Sequence, residues 1–158
     1  MSETLYAERG NALLRSANVF VQVRTGAMTL IALEAMMGVI RRLRVGLTGK
    51  RGALLVLGER AEMVSPMLRK RQIQWLQEMI ADPLMTTAFV VEGATPGAEL
   101  YRTLARADQK LASNGAVFST VEEGAHWLAA AVGVEPEALV ATAQRARAQA
   151  SGERVQAQ

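Results

Sequence analysis

The residues of this chain whose types and spacing suggest chemistry are few: one histidine, one serine placed before a proline, and one run of three cations. His126 is the single imidazole. As a general base it would need a nucleophile or a water within hydrogen-bond reach, and a third group to orient it. Its surroundings, VFSTVEEGAHWL (117–128), supply Glu122 and Glu123. Both are explained by a helix start, because Thr120 and Glu123 have the S/T-x-x-E spacing of a capping box. A lone histidine in a chain without cysteine falls short of a zinc motif. His126 therefore reads as a structural or exposed helix residue, and no catalytic residue, cofactor or metal site is expected.

Ser65 stands in MVSPML, a capping hydroxyl followed by proline at the first helical position, where the missing N–H costs nothing. A phosphate on Ser65 would face free backbone N–H groups and the cations Arg69, Lys70 and Arg71 in the first turns. Ser65 is thus a candidate regulatory phosphosite. Arg69, Lys70 and Arg71 are a candidate anion-binding group for a nucleotide, a lipid headgroup or an acidic protein face. The plain alternatives are an ordinary helix cap and a solvated helix face. The glycines of GLTGKRG (46–52) invite a phosphate-loop reading at Gly49-Lys50. Such a loop follows a strand and opens a helix, whereas this one ends a helix and precedes a strand, so it reads as a connection. The sequence holds no G-x-S-x-G, Walker-type or G-x-G-x-x-G motif and no paired-His site.

Composition narrows the class. With 158 residues, 50% of them hydrophobic and 21% charged, the chain has the length of one domain and too much apolar content to stay disordered. The absence of cysteine excludes disulfides, thiolate nucleophiles and Cys-ligated zinc. MSETLYAERG shows no basic region leading into an apolar one, and LIALEAMMGVI is broken by Glu34, short of the ~18 uncharged apolar residues of a membrane span. A soluble cytoplasmic protein without stable membrane insertion is expected. The net charge of +3 conceals an uneven distribution, since residues 9–51 hold eight cations against one acid, Glu34. That excess would suit an anionic partner. Yet Arg41, Arg42 and Arg44 also fit the negative end of a helix dipole, with the others as solvated strand and loop positions. Nucleic acid is not expected as a partner, because aromatics are only 4% of the chain and no groove-reading or base-stacking module is present. Trp75 and Trp127, at apolar helical positions, read as core.

The elements that must position these residues follow from changes of hydrophobic period. In LLRSANVFVQVRTG, Val19, Val21 and Val23 share one face of a strand and Gln22 and Arg24 the other, and the turn at Ser16-Ala17-Asn18 makes an opening hairpin. Leu33, Met36, Met37, Ile40 and Leu43 recur at helical spacing after Thr29, a fitting N-cap. GALLVLG (52–58) reads as a strand buried on both faces. Leu68, Trp75, Leu76 and Met79 mark a second helix, and TTAFVVEG (86–93) a central strand. Leu100, Leu104, Ala107 and Leu111 mark a third helix, stopped at Ser113-Asn114-Gly115, and AVFS opens a last strand before the helix of His126. Alternation of this kind implies an α/β domain over residues 1–134: a mixed, mostly parallel sheet of about five strands, an N-terminal antiparallel hairpin and four alternating helices. Residues 135–158 read as an Ala-rich helix with a weak apolar face (Leu139, Val140, Ala143, Ala146) and a polar tail.

The progression NVFVQVRTGAMTLIALEAMMGVIRRL, GALLVL, TTAFVVEG and GAVFSTVEEGAHWL resembles the STAS and sporulation anti-sigma-factor-antagonist-like domains, including their uncharacterised bacterial single-domain members, over roughly residues 12–134. The resemblance rests on pattern and spacing. It implies a non-enzymatic bacterial regulatory domain whose partner is another regulatory protein. Members that act as phosphorylation switches carry an Asp-Ser-Ser-Gly-like turn at the start of the helix after the second buried strand. Here Ser65 is the matching hydroxyl, but Val64 and Pro66 flank it and the glycine is missing, so a domain without the standard switch is expected. Two other expectations stand beside it. One is a small-molecule or lipid carrier, with the eight methionines able to line an adaptable pocket. The other is an enzyme of unknown chemistry, which would need His126 inside a cleft. A homo-oligomer, through sheet edges or the Ala-rich tail, is compatible with each.

Overall fold

The computed structural model describes residues 2–109 and 114–152. Leu111, Ser113 and the polar tail beyond Gly152 lie outside the described residues. In chain order the elements are β1 (Ser2–Glu8), β2 (Asn11–Ser16), β3 (Val19–Arg24), α1 (Leu30–Val45), β4 (Arg51–Leu57), α2 (Pro66–Ile80), β5 (Met85–Val91), α3 (Pro96–Gln109), β6 (Gly115–Phe118), α4 (Val121–Val132) and α5 (Pro136–Ala150).

The described residues form one sheet of six strands in sequential order. β1, β2 and β3 make an antiparallel meander, and β3 to β6 run parallel. The expected α/β architecture is present with one strand more, because residues 2–8 pair with β2 as an edge strand. Local sequence hides that strand. SETLYAE has only a weak alternation, its side chains are half-buried or exposed, and its register on β2 shifts between Thr4 and Tyr6. The β2–β3 turn occupies Ala17-Asn18, with Ala17 at φ 51° and Ser16 opposite Val19.

Each face of the sheet carries a helical layer. Leu13, Phe20, Ala53 and Met85 pack against α1 and α2, and Leu57 and Val91 on the same face meet α3. The opposite face, with Val21, Leu54, Ala88 and Val90, is closed by α4 and α5. α5 belongs fully to this layer: Leu139, Ala143, Ala146 and Ala150 are at most 1% exposed. Small alanines let α5 lie close to the sheet, and its end is tied back where Gly10 N–H donates to Ala150 C=O at 2.7 Å. Arg145 and Gln149 of α5 also bond Ser2 and Thr4 of β1.

Helix starts match their caps. Thr29, Ser65 and Thr120 accept from the N–H groups of Ala32, Leu68 and Glu123, and the Thr120 hydroxyl also donates to the Glu123 carboxylate at 2.8 Å. Because β3, β4 and β5 are parallel and in register, Arg24, Leu57 and Val91 end side by side. α1, α2 and α3 therefore all begin along that one edge of the sheet.

Candidate functional site

Period two places Gln22 and Arg24 opposite the valines of β3, and the structure agrees, but the face they occupy is not solvent. It is the face beneath α1, α2 and α3. Arg24 is 3% exposed, which corrects the expectation of a solvated strand position. In the sheet, Arg24 stands beside Leu57, and one step back Gln22, Leu55 and Phe89 form a row across three strands. All of that second row is only half-buried. The helices do not close over it, and a cavity of about 110 Å³ remains between the row and α2 and α3.

The cavity walls are mostly apolar. Met28 comes from the loop before α1, Leu33 from the start of α1, Trp75 and Leu76 from α2, Ala105 from α3, and Leu55 and Phe89 form the floor. Four polar side chains in the wall besides Tyr101 interrupt them: Gln22, Arg24, Arg69 and Gln72. Arg24 is the buried one. Its Nη2 donates to Tyr101 Oη at 2.9 Å, and its guanidinium carbon lies 5.4 Å from the Tyr101 ring centroid. Its Nε and Nη1 have no acceptor among the described residues. Burial pushes the Arg24 pKa down, and the Tyr101 oxygen pulls it partly back; an arginine keeps its proton in either case.

Arg102 supplies the contrast. It is 6% exposed, yet it donates from Nη1 to the Glu99 carboxylate and from Nη2 to the carbonyls of Val91 and Gly93. Those bonds staple α3 to the end of β5. Arg24 has a hydroxyl where Arg102 has a carboxylate and two carbonyls; Nε is unmet in both, and Nη1 in Arg24 alone.

Tyr101 also organises the edge above the cavity. Its hydroxyl donates to Glu62 C=O at 3.0 Å and accepts from Val64 N–H at 3.1 Å, and Glu62 N–H reaches Gly26 C=O at 3.2 Å. The loops before α1 and α2 are thereby pinned to each other and to α3. Along this edge stand Leu30 (44% exposed), Ile31 (81%), Met63 (54%), Met67 (69%) and Leu100 (46%). Ser65 is exposed among them.

The three cations of α2 do not converge. Successive helical residues turn by about 100°: Arg69 lines the cavity, Lys70 is exposed, and Arg71 turns to α1, where it bonds Glu34 at 2.6 Å. His126 is exposed on α4, away from the cavity, while Trp127 beside it packs on Phe118 with ring centroids 5.6 Å apart. Trp75 is core, 6% exposed, with Arg41 over its ring. Four cations of the basic third are ion-paired: Arg15 with Glu3 on the neighbouring strand, Arg41 with Glu78, and Arg44 and Arg51 with Asp82. No helix of the described residues is long and apolar enough to cross a membrane. Compared with protein-family models, with curated proteins and with solved structures, the chain matches none of them.

Proposed function

We propose that this chain is a non-enzymatic regulatory domain of STAS-like type, acting in the bacterial cytoplasm by docking another regulatory protein on the edge where α1, α2 and α3 begin. The observation that carries the reading is the gathering of Leu30, Ile31, Met63, Met67 and Leu100 on that edge, each at least 44% exposed. Single exposed apolar residues are ordinary, but several gathered on one surface mark a contact site. Leu30, Ile31, Met67 and Leu100 sit in first turns of helices, and the loops before α1 and α2, with Met63, are held by the Tyr101 and Gly26 hydrogen bonds, so little ordering entropy is lost on docking. Ser65 lies within the patch as the N-cap of α2, flanked by Val64 and Pro66. In this reading it is a cap and docking is constitutive.

The test is capture from the native cell. Wild-type protein should retain one regulatory protein in a fixed ratio. Ile31→Glu and Met67→Glu should release it with unfolding midpoints unchanged, since both side chains already face water. His126→Ala should leave it bound. Retention by both charged variants refutes the reading, and phosphate mapped to Ser65 in the purified protein refutes constitutive docking.

A further inference from the structure

The Arg24 cavity is a second place at which the molecule is incomplete, and it is independent of the docking edge. A buried arginine ordinarily faces a carboxylate or several carbonyls, because its charge loses water on burial and its donors must be met. Arg24, 3% exposed, has one hydroxyl and two unmet nitrogens, Nε and Nη1. Its ladder neighbour Asn11 donates its amide N–H groups to Ala27 C=O and Glu8, its Oδ1 is buried and forms no hydrogen bond with Arg24, and it does not line the cavity. Among the described side chains no acid forms an ion pair with Arg24.

The rest of the wall describes the missing group. An inorganic anion would satisfy the guanidinium but leave Leu55, Phe89, Trp75 and Leu76 facing vacant space. A neutral apolar molecule would fill the space but leave the charge unmet. The volume, about 110 Å³, is of the order of the ~150 Å³ dry cavity that admits benzene. We infer that the cavity is a binding site for a small organic monocarboxylate, its carboxylate accepting from Arg24 and its apolar body lying between Leu55, Phe89 and Trp75. No covalent step is involved; the site binds.

Titration of the full chain with benzoate, followed by amide NMR shifts and Trp fluorescence, tests this. Benzoate should saturate with a Kd of roughly 1 mM or tighter, shifting amides of β3, β4, α2 and α3 and not those of α5. Benzyl alcohol, of the same shape without charge, and inorganic phosphate, charged without an apolar body, should each bind weaker by roughly tenfold or more. Arg24→Met should abolish the preference for benzoate over benzyl alcohol. Leu55→Trp, which fills the space and keeps Arg24, should abolish binding of both. The inference is overturned if benzoate fails to saturate by roughly 10 mM, if phosphate binds as well as benzoate, or if the preference survives in folded Arg24→Met. Loss of the partner protein in the Ile31 and Met67 variants leaves this result untouched, so the two readings fail separately.

Discussion

Two glycines in helix interiors predict opposite outcomes of the same one-carbon substitution. A Cβ built on Gly38, in the middle of α1, meets nothing within 4 Å. A Cβ built on Gly124, where α4 presses on the sheet, falls 2.7 Å from Val90 Cγ2 and 3.4 Å from Leu54 Cδ1. At an open helical position Gly→Ala stabilises by about 1 kcal/mol, because alanine narrows the unfolded ensemble without adding strain. Gly124→Ala receives the same gain or less, and then sets a carbon about 1 Å inside the ordinary contact distance. Val90 and Leu54 are both 0% exposed, in strands held on either side, so neither can withdraw into solvent. Overpacking of this kind costs roughly 1–3 kcal/mol. Gly38→Ala should thus gain and Gly124→Ala should lose, with about 2 kcal/mol between them. Val90→Ala alone should cost roughly 2 kcal/mol. Combined with Gly124→Ala it should cost less than the sum by at least ~1 kcal/mol, because the new methyl takes the space vacated by Cγ2. Urea unfolding with the midpoints compared at constant slope measures all four variants. Stabilisation by Gly124→Ala, or a cycle additive to within ~0.5 kcal/mol, would refute the contact of α4 with the sheet as described.

The remaining predictions concern charges and a cap. Asp82→Asn leaves Arg51 and Arg44 without their shared carboxylate, whose side chain is 9% exposed, and should cost roughly 3 kcal/mol in the same unfolding assay. Glu34 and Glu78 are held below the usual carboxylate range chiefly by hydrogen bonds from Arg71 and Arg41. A lowered folded-state pKa contributes stability that is complete above the unfolded value of about 4.3 and is lost as pH falls through the folded one. Wild type should therefore lose thermal stability more steeply than Glu34→Gln/Glu78→Gln below about pH 4.5, with the difference shrinking in high salt; parallel curves would contradict this. Ser65→Ala removes the acceptor for Leu68 N–H and should cost about 1 kcal/mol, while leaving partner capture intact.

Much of the fold is legible in the residues because it is local. The hydroxyls of Thr29, Ser65 and Thr120 mark helix starts, and each accepts the hydrogen bond a cap accepts. The apolar runs 52–58 and 86–93 hold the strands Arg51–Leu57 and Met85–Val91, which have helices on both faces. β1 escapes such reading because its pairing lies in its partners: SETLYAE gains order from β2 and from Arg145 and Gln149, more than 130 residues away. The same holds for the alanines of α5, which look like a weak stripe and prove to be a close-packed core face.

For the candidate sites the division is sharper. Side-chain type and spacing by themselves determine that Ser65 caps a helix and which residues share the Arg24 face of β3. Only the tertiary structure decides what covers that face. Alternation along a strand reports that Gln22 and Arg24 point the same way, and a polar pair is then taken for a wet surface. Burial is a property of the neighbours: Trp75 and Leu76 from α2, and Tyr101 from α3, arrive from up to 77 positions along the chain, exclude water, and leave Arg24 with one hydroxyl. Arg51 and Asp82 are 31 positions apart and Arg41 and Glu78 are 37 apart; since Coulomb attraction acts through space, these acids reach Arg41, Arg44 and Arg51 only once α1, α2 and β4 have packed together.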